Sequence, residues 1–482
     1  MTSLDAFFYP NSIAVIGASR DPRKAGHQVL LNMIKSGYKG KLYPINPKAN
    51  EVLGLKAYPS IKEVPGKVDL AVIVIPAPKV PQAARECCEK GVRNIIVISG
   101  GFKEIGPEGA RLEEELVRIV REYNARLIGP NCVGVYVPKT GVNTTFLSMD
   151  RMGFPKHGPI AFITQSGAFG IAVLDWATMR GIGISKFASI GNKADVDEPD
   201  LLEYLVDDDD TRVITIYTEG LDAGEGSRFM RALKKTTVKK PVIALKAGRT
   251  EAGARATASH TGSLAGADVF YDAAFKQCGV LRAYGMEELF DLALVLALQP
   301  PSAGSRVAIL TVGGGSGVMA TDACVTLGLK VPKLSEETEE ELRRILLPIA
   351  SPHNPVDVTG SARDEHLIES VEILMRSGEV DAIMWIPYFQ VPGITEELVP
   401  RFVERVKRVN RELETPIPVV GAATGGEYTW KMASKAEELG IPMYISVERA
   451  AKALWALYRY GEWLKKNGVF REYIERFRRV IG

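Results

Sequence analysis

The sequence predicts an α/β protein of three domains, each built on a largely parallel sheet. Short apolar runs of strand length alternate with amphipathic stretches of helical length along most of the 482 residues, and this alternation is typical of parallel α/β folds. The alternation restarts twice, each time after a stretch with several prolines and small residues. At roughly 150 residues per domain, the length also predicts about three domains.

The first domain is predicted over residues 1–135 as a doubly wound sheet. Its expected strands are SIAVIGAS (12–19), KLYPIN (41–46), DLAVIVIP (69–76), NIIVISG (94–100) and ARLIGPN (125–131), and its expected helices lie near 25–37, 79–90 and 107–123. Residues 136–158 contain several prolines and glycines, so they are expected to form an irregular linker.

Two flavodoxin-like domains are predicted to follow, over residues 159–298 and 306–482, separated by a linker at 299–305 (QPPSAGS). The expected strands of the second domain are 159–167, 184–190, 213–220 and 241–248, and its helices are 168–180, 263–277 and 286–298. The expected strands of the third are 306–317, 381–387 and 416–422, and its helices are 317–328, 395–412 and a charged C-terminal stretch over 447–479.

The composition argues against two function classes. Lys and Arg total 60 and Asp and Glu total 58, a net charge of +2, whereas general nucleic-acid or membrane-surface proteins normally carry a basic excess. No window approaches about 18 unbroken apolar residues, so no membrane span is expected. The five cysteines show no CxxC spacing, and the N-terminal stretch lacks a signal-peptide pattern. We therefore expect a cytoplasmic enzyme in a reducing compartment.

The loop after the first strand, IGASRDPRKAG (16–26), predicts a site for a phosphate-rich nucleotide. A dinucleotide fingerprint would read GxGxxG and would place an acid at the end of the second strand. Ser19 instead occupies the second glycine position, and the second strand ends Asn-Pro-Lys at 46–48, so NAD is disfavoured. The polar and cationic side chains available to phosphate are Ser19, Arg20, Lys24 and Lys48. The alternative is a tight turn with solvated charges.

Two later loops also open a helix directly after an apolar strand: TQSG (164–167) and GGGSG (313–317). Helix N-termini present unpaired N–H groups and a positive dipole end, and glycine lets an anion approach the backbone. One such loop would be weak evidence, because helix starts favour glycine and serine in any case. With one loop at the head of each later domain, an anion shared by the two helix starts becomes a specific hypothesis.

His260 and Glu219 form a candidate catalytic pair. His260 lies in a run of small residues, ARATASHTGSLAG (254–266), that leaves the imidazole uncovered. Glu219 ends the strand at 213–220, at the carboxyl edge where open α/β sheets bind ligands. A carboxylate there can accept the Nδ1 proton of a nearby histidine and leave the other nitrogen nucleophilic. The alternatives are a surface histidine and a solvated or helix-capping carboxylate.

An acidic run at 207–210, with Asp195, Asp197 and Glu198 nearby, has the composition of a metal site. No histidine or cysteine accompanies it, so a solvated loop is the preferred interpretation and no metal site is predicted.

Seven segments together resemble the α subunit of the ADP-forming (NDP-forming) acetate–CoA ligases, acyl-CoA synthetases related to succinyl-CoA synthetase. They are FFYPNSIAVIGASRDP (7–22), GPNCVGV (129–135), TQSGAFG (164–170), YTEG (217–220), SHTGSLAG (259–266), TVGGGSGVMATDA (311–323) and NPVDVTG (354–360). The resemblance covers essentially the whole chain, and it is the joint occurrence of the segments in this order that is specific. It implies a Rossmann-like CoA-binding domain followed by two flavodoxin-like ligase domains.

The resemblance also implies roles for individual residues. The histidine that matches His260 is phosphorylated in that family, and the glutamate that matches Glu219 holds it. The helix-start residues expected to cradle phosphate are Gln165, Ser166, Gly167, Gly314, Gly315, Ser316 and Gly317. The residues expected at the CoA site are Gly17, Ser19, Arg20, Lys24, Lys48, Pro76, Ala77, Pro78, Ser99, Gly100 and Asn131, with Asn131 close to the acyl-transfer position.

The reaction implied is the reversible conversion of acyl-CoA, inorganic phosphate and ADP into acid, CoA and ATP. An ATP-grasp domain, which would bind Mg-ATP or ADP, has no counterpart among the three predicted domains. The resemblance therefore implies a separate ATP-grasp β subunit in an α2β2 complex. The acid is not identified by the sequence; residues 149–154 and Phe169 are candidates for its pocket by position alone.

Three alternatives stay open at this stage. A CoA- or nucleotide-sensing regulator would keep the folds without chemistry, and the pairing of His260 with Glu219 argues against it. A protein acetyltransferase would need an appended domain for which no length remains. An NAD-dependent dehydrogenase is the alternative at the level of the fold, and competing CoA with NAD⁺ would distinguish it.

Overall fold

The computed structural model describes residues 4–222, 224–255 and 268–481. The chain divides into two compact units, residues 1–286 and 287–482. The α/β architecture predicted from the sequence is confirmed, because the sheets of both units are mainly parallel and alternate with helices along the chain.

The first unit contains two sheets and a small hairpin. Its strands are β1 (Ser12–Ile16), β2 (Lys41–Ile45), β3 (Glu51–Val52), β4 (Leu55–Lys56), β5 (Leu70–Ile73), β6 (Asn94–Val97), β7 (Arg126–Ile128), β8 (Gly134–Val137), β9 (Val142–Asn143), β10 (His157–Thr164), β11 (Ile184–Ser189), β12 (Val213–Thr218), β13 (Val242–Lys246) and β14 (Leu281–Ala283). Its helices are α1 (Asp5–Phe8), α2 (Ala25–Lys35), α3 (Val80–Glu89), α4 (Pro107–Glu122), α5 (Gly167–Met179), α6 (Glu198–Leu205), α7 (Gly226–Thr237) and α8 (Asp268–Cys278), with 3-10 turns at Ile61–Glu63, Ala77–Lys79 and Lys103–Ile105.

The first sheet is parallel, in the order β2-β1-β5-β6-β7. Every residue of β1, β5 and β6 is buried, because helices cover both faces of a doubly wound sheet and the strands then read as continuous apolar runs. Burial of each large aliphatic side chain contributes about 2 kcal/mol. The strands end on one edge, where the loops toward α2, α3 and α4 begin.

The second sheet has the order β14-β13-β12-β10-β11-β8-β9, in which β8 and β9 are antiparallel. The segment 136–158 was expected to be an irregular linker, and that expectation is wrong for its first part. Its residues contribute to the β8–β9 hairpin, which pairs with β11 through Tyr136 and Phe187. One buried cluster contains residues from both sheets, among them Val15 and Ile163, so the first two predicted domains share a core.

The second unit is built on one parallel sheet in the order β16-β15-β17-β18-β19. Its strands are β15 (Val307–Thr311), β16 (Val356–Asp357), β17 (Ala382–Ile386), β18 (Val419–Ala422) and β19 (Met443–Tyr444). Its helices are α9 (Met286–Leu298, which begins at the unit boundary), α10 (Gly314–Thr326), α11 (Glu336–Ile345), α12 (Asp364–Arg376), α13 (Leu398–Glu412), α14 (Glu427–Glu438), α15 (Val447–Lys466) and α16 (Phe470–Ile481). The sequence pattern missed β16, β19, α11, α12 and α14. Both strands have only two residues, too few for an alternation to show.

Among the described helices, none combines the length and the apolar character that crossing a membrane requires.

Candidate active site

An open cleft of about 930 Å³ lies at the carboxyl edge of the first sheet. It is lined by six of the residues predicted for the nucleotide site: Gly17, Ser19, Lys24, Pro76, Pro78 and Ser99. The other five do not line it. Arg20 and Lys48 are exposed beside it, Ala77 is buried, Asn131 lines a different cavity, and Gly100 lies next to Asn131.

Gly17 makes the tight turn that opens this cleft. It adopts φ +92°, and a Cβ atom there would lie 2.3 Å from the carbonyl oxygen of Val74. The loop is held from two sides: Asn46 donates its amide to the carbonyl of Ala18 at 2.7 Å, and His27 Nδ1 lies 2.8 Å from the carbonyl of Ser19. The sequence missed Asn46 as a wall of the cleft, although its position at the end of the second strand was the available signal.

A second cavity, of about 380 Å³, lies where strand ends of the two sheets of the first unit meet; we call it the inter-sheet cavity. It is lined by Asn131 from the first sheet's side and by four predicted residues from the second: Gln165, Ser166, Gly167 and Glu219. The structure therefore brings together residues that are separated by up to 88 positions in sequence.

The helix start at Ser166 forms one wall of the inter-sheet cavity. Ser166 caps α5, since its hydroxyl accepts the N–H of Phe169 at 3.3 Å. Thr164 anchors the turn by donating to the carbonyl of Ser166 at 2.8 Å. The first N–H groups of a helix have no intrahelical acceptor, and the dipole makes this end positive. An anion such as phosphate is therefore favoured at this wall.

Glu219 follows β12 on the neighbouring wall and is 6% exposed. Gln165 fixes the start of its loop, because the side-chain oxygen of Gln165 accepts the N–H groups of Glu219 at 2.7 Å and of Gly220 at 3.3 Å. The Tyr217 hydroxyl donates to Glu219 Oε1 at 3.4 Å, and burial together with the Glu219 carboxylate raises the pKa of Tyr217. His260 lies outside the described residues, so its pairing with Glu219 stays a prediction.

Asn131 connects the cavity to a pair of carboxylates, of which Glu113 is buried and Glu104 is half-buried. It adopts φ +58°, and its side-chain N–H donates to Asn192 Oδ1 at 3.3 Å. Asn192 in turn donates to Glu104 at 2.7 Å and to Glu113 at 2.8 Å. The sequence analysis missed Asn192, Glu104 and Glu113. They come from three segments, none of which carries a motif.

The pKa values of these two carboxylates are shifted in opposite directions. Burial raises the pKa of Glu104, but Asn192 and backbone N–H groups lower it by more, so the net shift is downward. Burial also raises the pKa of Glu113, and there Asn192 and Lys103 offset the shift only in part, so it stays raised. Glu104 is accordingly the better fixed negative charge at the cavity wall, and Glu113 is the group that takes up a proton first.

The apolar part of the inter-sheet cavity differs from the expected acid pocket. It is lined by Ile98, Val133, Phe146 and Ile171. Residues 149–154 and Phe169 do not line it; Phe169 instead stacks on Tyr217, with ring centroids 4.2 Å apart.

The second glycine loop lies in the second unit. Gly313 caps α10, which begins at Gly314 and contains the predicted residues Gly315, Ser316 and Gly317. The hydroxyl of Ser316 is hydrogen-bonded to that of Tyr388, a residue that the sequence analysis missed. A Cβ atom at Gly314 would lie 3.0 Å from Asp357 Oδ2. The loop has the local geometry of a helix-start anion site within its own unit; the shared anion remains a prediction.

The acidic residues near 195–210 are only in part the solvated loop that the sequence analysis preferred: Asp207 and Asp209 are exposed, whereas half-buried ones form ion pairs. Asp208 contacts Lys186 at 2.7 Å, and Asp210 contacts Lys139 at 2.7 Å. Asp195 contacts Arg126 at 2.9 Å. Within the part of the chain that the structure describes, no group of three or more His, Cys, Asp or Glu side chains is arranged to hold a metal ion.

Comparisons with known proteins agree with this arrangement. A CoA-binding domain family matches residues 11–138, a succinyl-CoA ligase-like flavodoxin domain matches 157–296, and a ligase-CoA domain matches 307–466. The α subunit of ADP-forming acetate–CoA ligase II of Pyrococcus furiosus is 45% identical over 462 residues, which cover 95% of this chain and 98% of that subunit. An ADP-forming acetate–CoA ligase of Methanocaldococcus jannaschii is 41% identical over 97% of this chain, which spans 64% of that longer protein.

One of the solved structures that are similar over nearly the whole chain contains phosphate and ADP. It is the dinucleotide forming acetyl-coenzyme A synthetase 1 of Candidatus Korarchaeum cryptofilum, in complex with phosphate and ADP. It matches with a TM-score of 0.88 and 40% identity, and the match covers 99% of both chains.

Proposed function

Since this chain belongs to the family of ADP-forming acetate–CoA ligases, within the succinyl-CoA synthetase superfamily, we propose that it is the α subunit of an ADP-forming acyl-CoA synthetase. The reaction is acyl-CoA, inorganic phosphate and ADP to acid, CoA and ATP, and it is reversible. The observation that carries this proposal is the inter-sheet cavity, which joins a helix-start anion wall at Ser166 to the buried carboxylate of Glu219 and to Asn131.

The first chemical step forms an acyl phosphate in this cavity. A phosphate oxygen attacks the thioester carbonyl, the carbon–sulfur bond breaks, and the CoA thiolate leaves and takes up a proton. The N–H groups at Ser166 and Gly167 are placed to stabilise the negative charge on phosphate, since they are fixed before the reaction and need no reorganisation. The apolar wall at Ile98 and Val133 suits the acyl chain.

The second step transfers the phosphoryl group to His260. A nitrogen of the imidazole attacks phosphorus, the bond to the acyl oxygen breaks, and the acid leaves as a carboxylate. Glu219 would accept a hydrogen bond from the N–H of the other ring nitrogen and stabilise the positive charge that develops on the imidazole. The phosphohistidine then passes its phosphoryl group to ADP on another subunit.

CoA would bind in the cleft at the edge of the first sheet. Gly17, Ser19 and Lys24 would approach its phosphates, since the loop presents backbone N–H groups, a hydroxyl and an ammonium at a helix start. Pro76, Pro78 and Ser99 also line this cleft and would contact CoA there. Arg20 and Lys48 stay in this proposal as exposed cations that could contact the phosphate groups of CoA.

A separate ATP-grasp β subunit would supply the Mg-ATP or ADP site, in an α2β2 complex. The Pyrococcus relative is itself a subunit, and the Methanocaldococcus relative extends well beyond the length matched here. All five cysteines are free and buried, which supports the reducing, cytoplasmic location that we propose.

The decisive experiment is reconstitution of the full chain with an ATP-grasp subunit, assayed with a panel of acids for CoA-dependent ADP formation. We expect turnover that needs both chains, ATP, CoA and an acid, and that releases inorganic phosphate. Binding of CoA without turnover in any acid would support the sensing alternative and contradict the proposal; binding of NAD⁺ in place of CoA would indicate a dehydrogenase.

The phosphohistidine is tested separately by ³²P transfer from labelled ATP in the same complex. His260→Ala should remove the acid-labile label from this chain, whereas His353→Ala should retain it, because the His353 side chain is 66% exposed and pairs with Glu339 in the second unit. Persistent acid-labile label in the His260 variant would overturn the assignment.

A further inference from the structure

Side chains outside the loop 219–222, which carries Glu219, accept a hydrogen bond from each of its four backbone N–H groups. Gln165 accepts its first two N–H groups, at 2.7 and 3.3 Å. The hydroxyl of Tyr271 accepts the third at 2.9 Å. Glu225 accepts the fourth at 2.8 Å. A loop whose backbone donors are each bonded to a buried or half-buried side chain is fixed before any ligand arrives.

Lys193 binds the same loop at a backbone carbonyl group. Its ammonium donates to the carbonyl of Gly220 at 3.0 Å and contacts Glu225 at 3.0 Å and Glu198 at 3.4 Å. The side chain is 1% exposed, and that of Glu198 is 0% exposed. Because Glu225 also binds the last N–H group of the loop, Lys193 acts on the loop directly and through Glu225.

The backbone at Lys193 is strained, and hydrogen bonds to the loop that follows β7 of the first sheet hold it in place. Lys193 adopts φ +46°, in the left-handed region that disfavours residues with a Cβ atom. The N–H of Asn192 donates to the carbonyl of Pro130 at 2.9 Å, and the N–H of Ala194 donates to that of Gly129 at 3.1 Å. Such conformations persist where the surroundings over-determine them, and they cluster at functional sites.

We propose that Lys193 is a positioning residue for the reaction: it fixes the Gly220 carbonyl and Glu225, and so holds Glu219 in place at the wall of the inter-sheet cavity. This inference rests on the proposed function and names a residue that the family motifs in the sequence do not include. Lys193 also lines the inter-sheet cavity, as Ser166 does. Its own segment is bonded to the loop after β7, and its ammonium holds the loop that carries Glu219, so it connects the two walls.

The side chain of Lys193 stays protonated at every pH where such an enzyme would be assayed. Burial lowers the pKa of its ammonium, but Glu198 and Glu225 raise it by more, so the net shift is upward. The lysine therefore acts as a fixed cation and not as a proton donor, and its contribution is geometric.

The variant that tests this must not leave a buried charge alone, because one unpaired partner of a buried ion pair is itself strongly destabilising. We therefore pair Lys193→Met with Glu198→Gln, because Glu198 is the fully buried partner of the lysine. The amide oxygen of glutamine can still accept the hydroxyl of Thr218, Glu225 keeps its bond to the N–H of Asp222, and one charge of each sign is removed. Lys193→Arg is the conservative companion, since it keeps the cation.

The same sheet offers a matched control in Lys186 and Asp208. They form a buried ion pair at 2.7 Å, with side chains 2% and 9% exposed, and neither lines the inter-sheet cavity. Lys186→Met with Asp208→Asn removes the same charges from the same domain and should leave the loop 219–222 unaffected.

The experiment combines hydrogen exchange of the full chain with steady-state kinetics of the reconstituted complex. In Lys193→Met/Glu198→Gln we expect peptides over 217–226 to exchange at least about tenfold faster and kcat to fall at least about tenfold, with KM for CoA changed less than about threefold. The control pair should show neither effect, and Lys193→Arg should recover most of the loss.

Unchanged exchange over 217–226 would overturn the positioning role, and so would faster exchange with kcat within twofold of the wild type. A loss of kcat matched by the control pair would assign the effect to general stability and would also overturn it. An inactive wild-type complex would instead contradict the proposed function, while the exchange measurement would still report whether Lys193 holds the loop.

Discussion

The side-chain oxygen of Gln165 accepts the backbone N–H of Glu219 at 2.7 Å, and this bond joins the two walls of the inter-sheet cavity. Gln165 immediately precedes the helix start at Ser166, whereas Glu219 follows a strand more than fifty residues later. Because both residues are buried, the anion wall and the carboxylate move together. A phosphoryl group bound at one wall would thus meet the other at a fixed position.

Replacing Gln165 by alanine should loosen this connection. The buried N–H groups of Glu219 and Gly220 would lose their acceptor, and we expect the free energy of unfolding to fall by about 1–3 kcal/mol. We also expect kcat of the reconstituted enzyme to fall about tenfold, since a shift of the carboxylate by a fraction of an ångström weakens its alignment. Urea denaturation and steady-state assays measure the two effects.

Gln277→Ala is the control, because Gln277 is an exposed residue of α8. It should show neither effect, and equal losses in both variants would contradict the role of Gln165.

Gly17→Ala should be destabilising and should weaken CoA binding. The new Cβ would lie 2.3 Å from the carbonyl of Val74 in a backbone with φ +92°, so we expect a loss of about 3 kcal/mol in the free energy of unfolding. The displaced loop should raise KM for CoA about tenfold, which corresponds to roughly 1.4 kcal/mol of binding. Thermal denaturation and CoA titration report the two values.

Gly37→Ala is the matched control for this change. Gly37 has φ +77° but nothing within 4 Å of a built Cβ, so only the backbone strain of about 1 kcal/mol should appear. Equal losses at Gly17 and Gly37 would show that close packing at the cleft is not the reason for the glycine.

The cysteines should be unreactive in the native chain at pH 8. Burial raises the pKa of Cys132 and of Cys324 to about 12 and that of Cys88 to about 11. For a pKa of 12 instead of 9, the thiolate fraction at pH 8 is roughly a thousandfold smaller, and the thiolate is the reactive form. A chromogenic disulfide reagent should therefore titrate no thiol in the native chain within the time that all five react in guanidinium. Rapid stoichiometric labelling of Cys132, identified by peptide mapping, would contradict its burial at the cavity.

Glu113→Gln should flatten the dependence of stability on pH. The folded chain holds the pKa of Glu113 above its ordinary value because of burial, so the stability contributed by this group is fully present below the unfolded pKa, near 4.5. It is lost as pH rises through the folded pKa, because the buried group must then ionise. The unfolding free energy of the wild type minus that of the variant should therefore fall as pH rises from about 4.5. A difference that grows with pH would reverse the assigned sign. Glu114→Gln, at an exposed position of α4, is the control and should give a flat difference.

Local periodicity was sufficient to predict most of the elements in this chain. Strand β5 and helix α9 are long or uniform enough for their apolar pattern to show, and α9 covers 286–298 as expected. The two-residue strands and the β8–β9 hairpin were missed, because pairing with a distant strand decides whether so short a segment is extended.

The helix start at Ser166 and the carboxylate of Glu219 could be predicted as site residues because each follows a strand and each belongs to a recognisable motif. Lys193, Asn192 and Glu104 could not, since their significance lies in partners 27 to 88 positions away in sequence.

The sequence by itself determined the α/β class, the family and the identity of the glycine and serine helix starts, because these depend on short-range patterns and on motifs in a fixed order. Only the tertiary structure decided that Asn131 and Glu219 line one cavity, that Arg20 and Lys48 stand outside the cleft, and that Lys193 is buried beneath the loop of Glu219. The physical reason is that a cavity wall is assembled by packing between strand ends of different sheets. Neither the spacing of residues nor their type records which ends will meet.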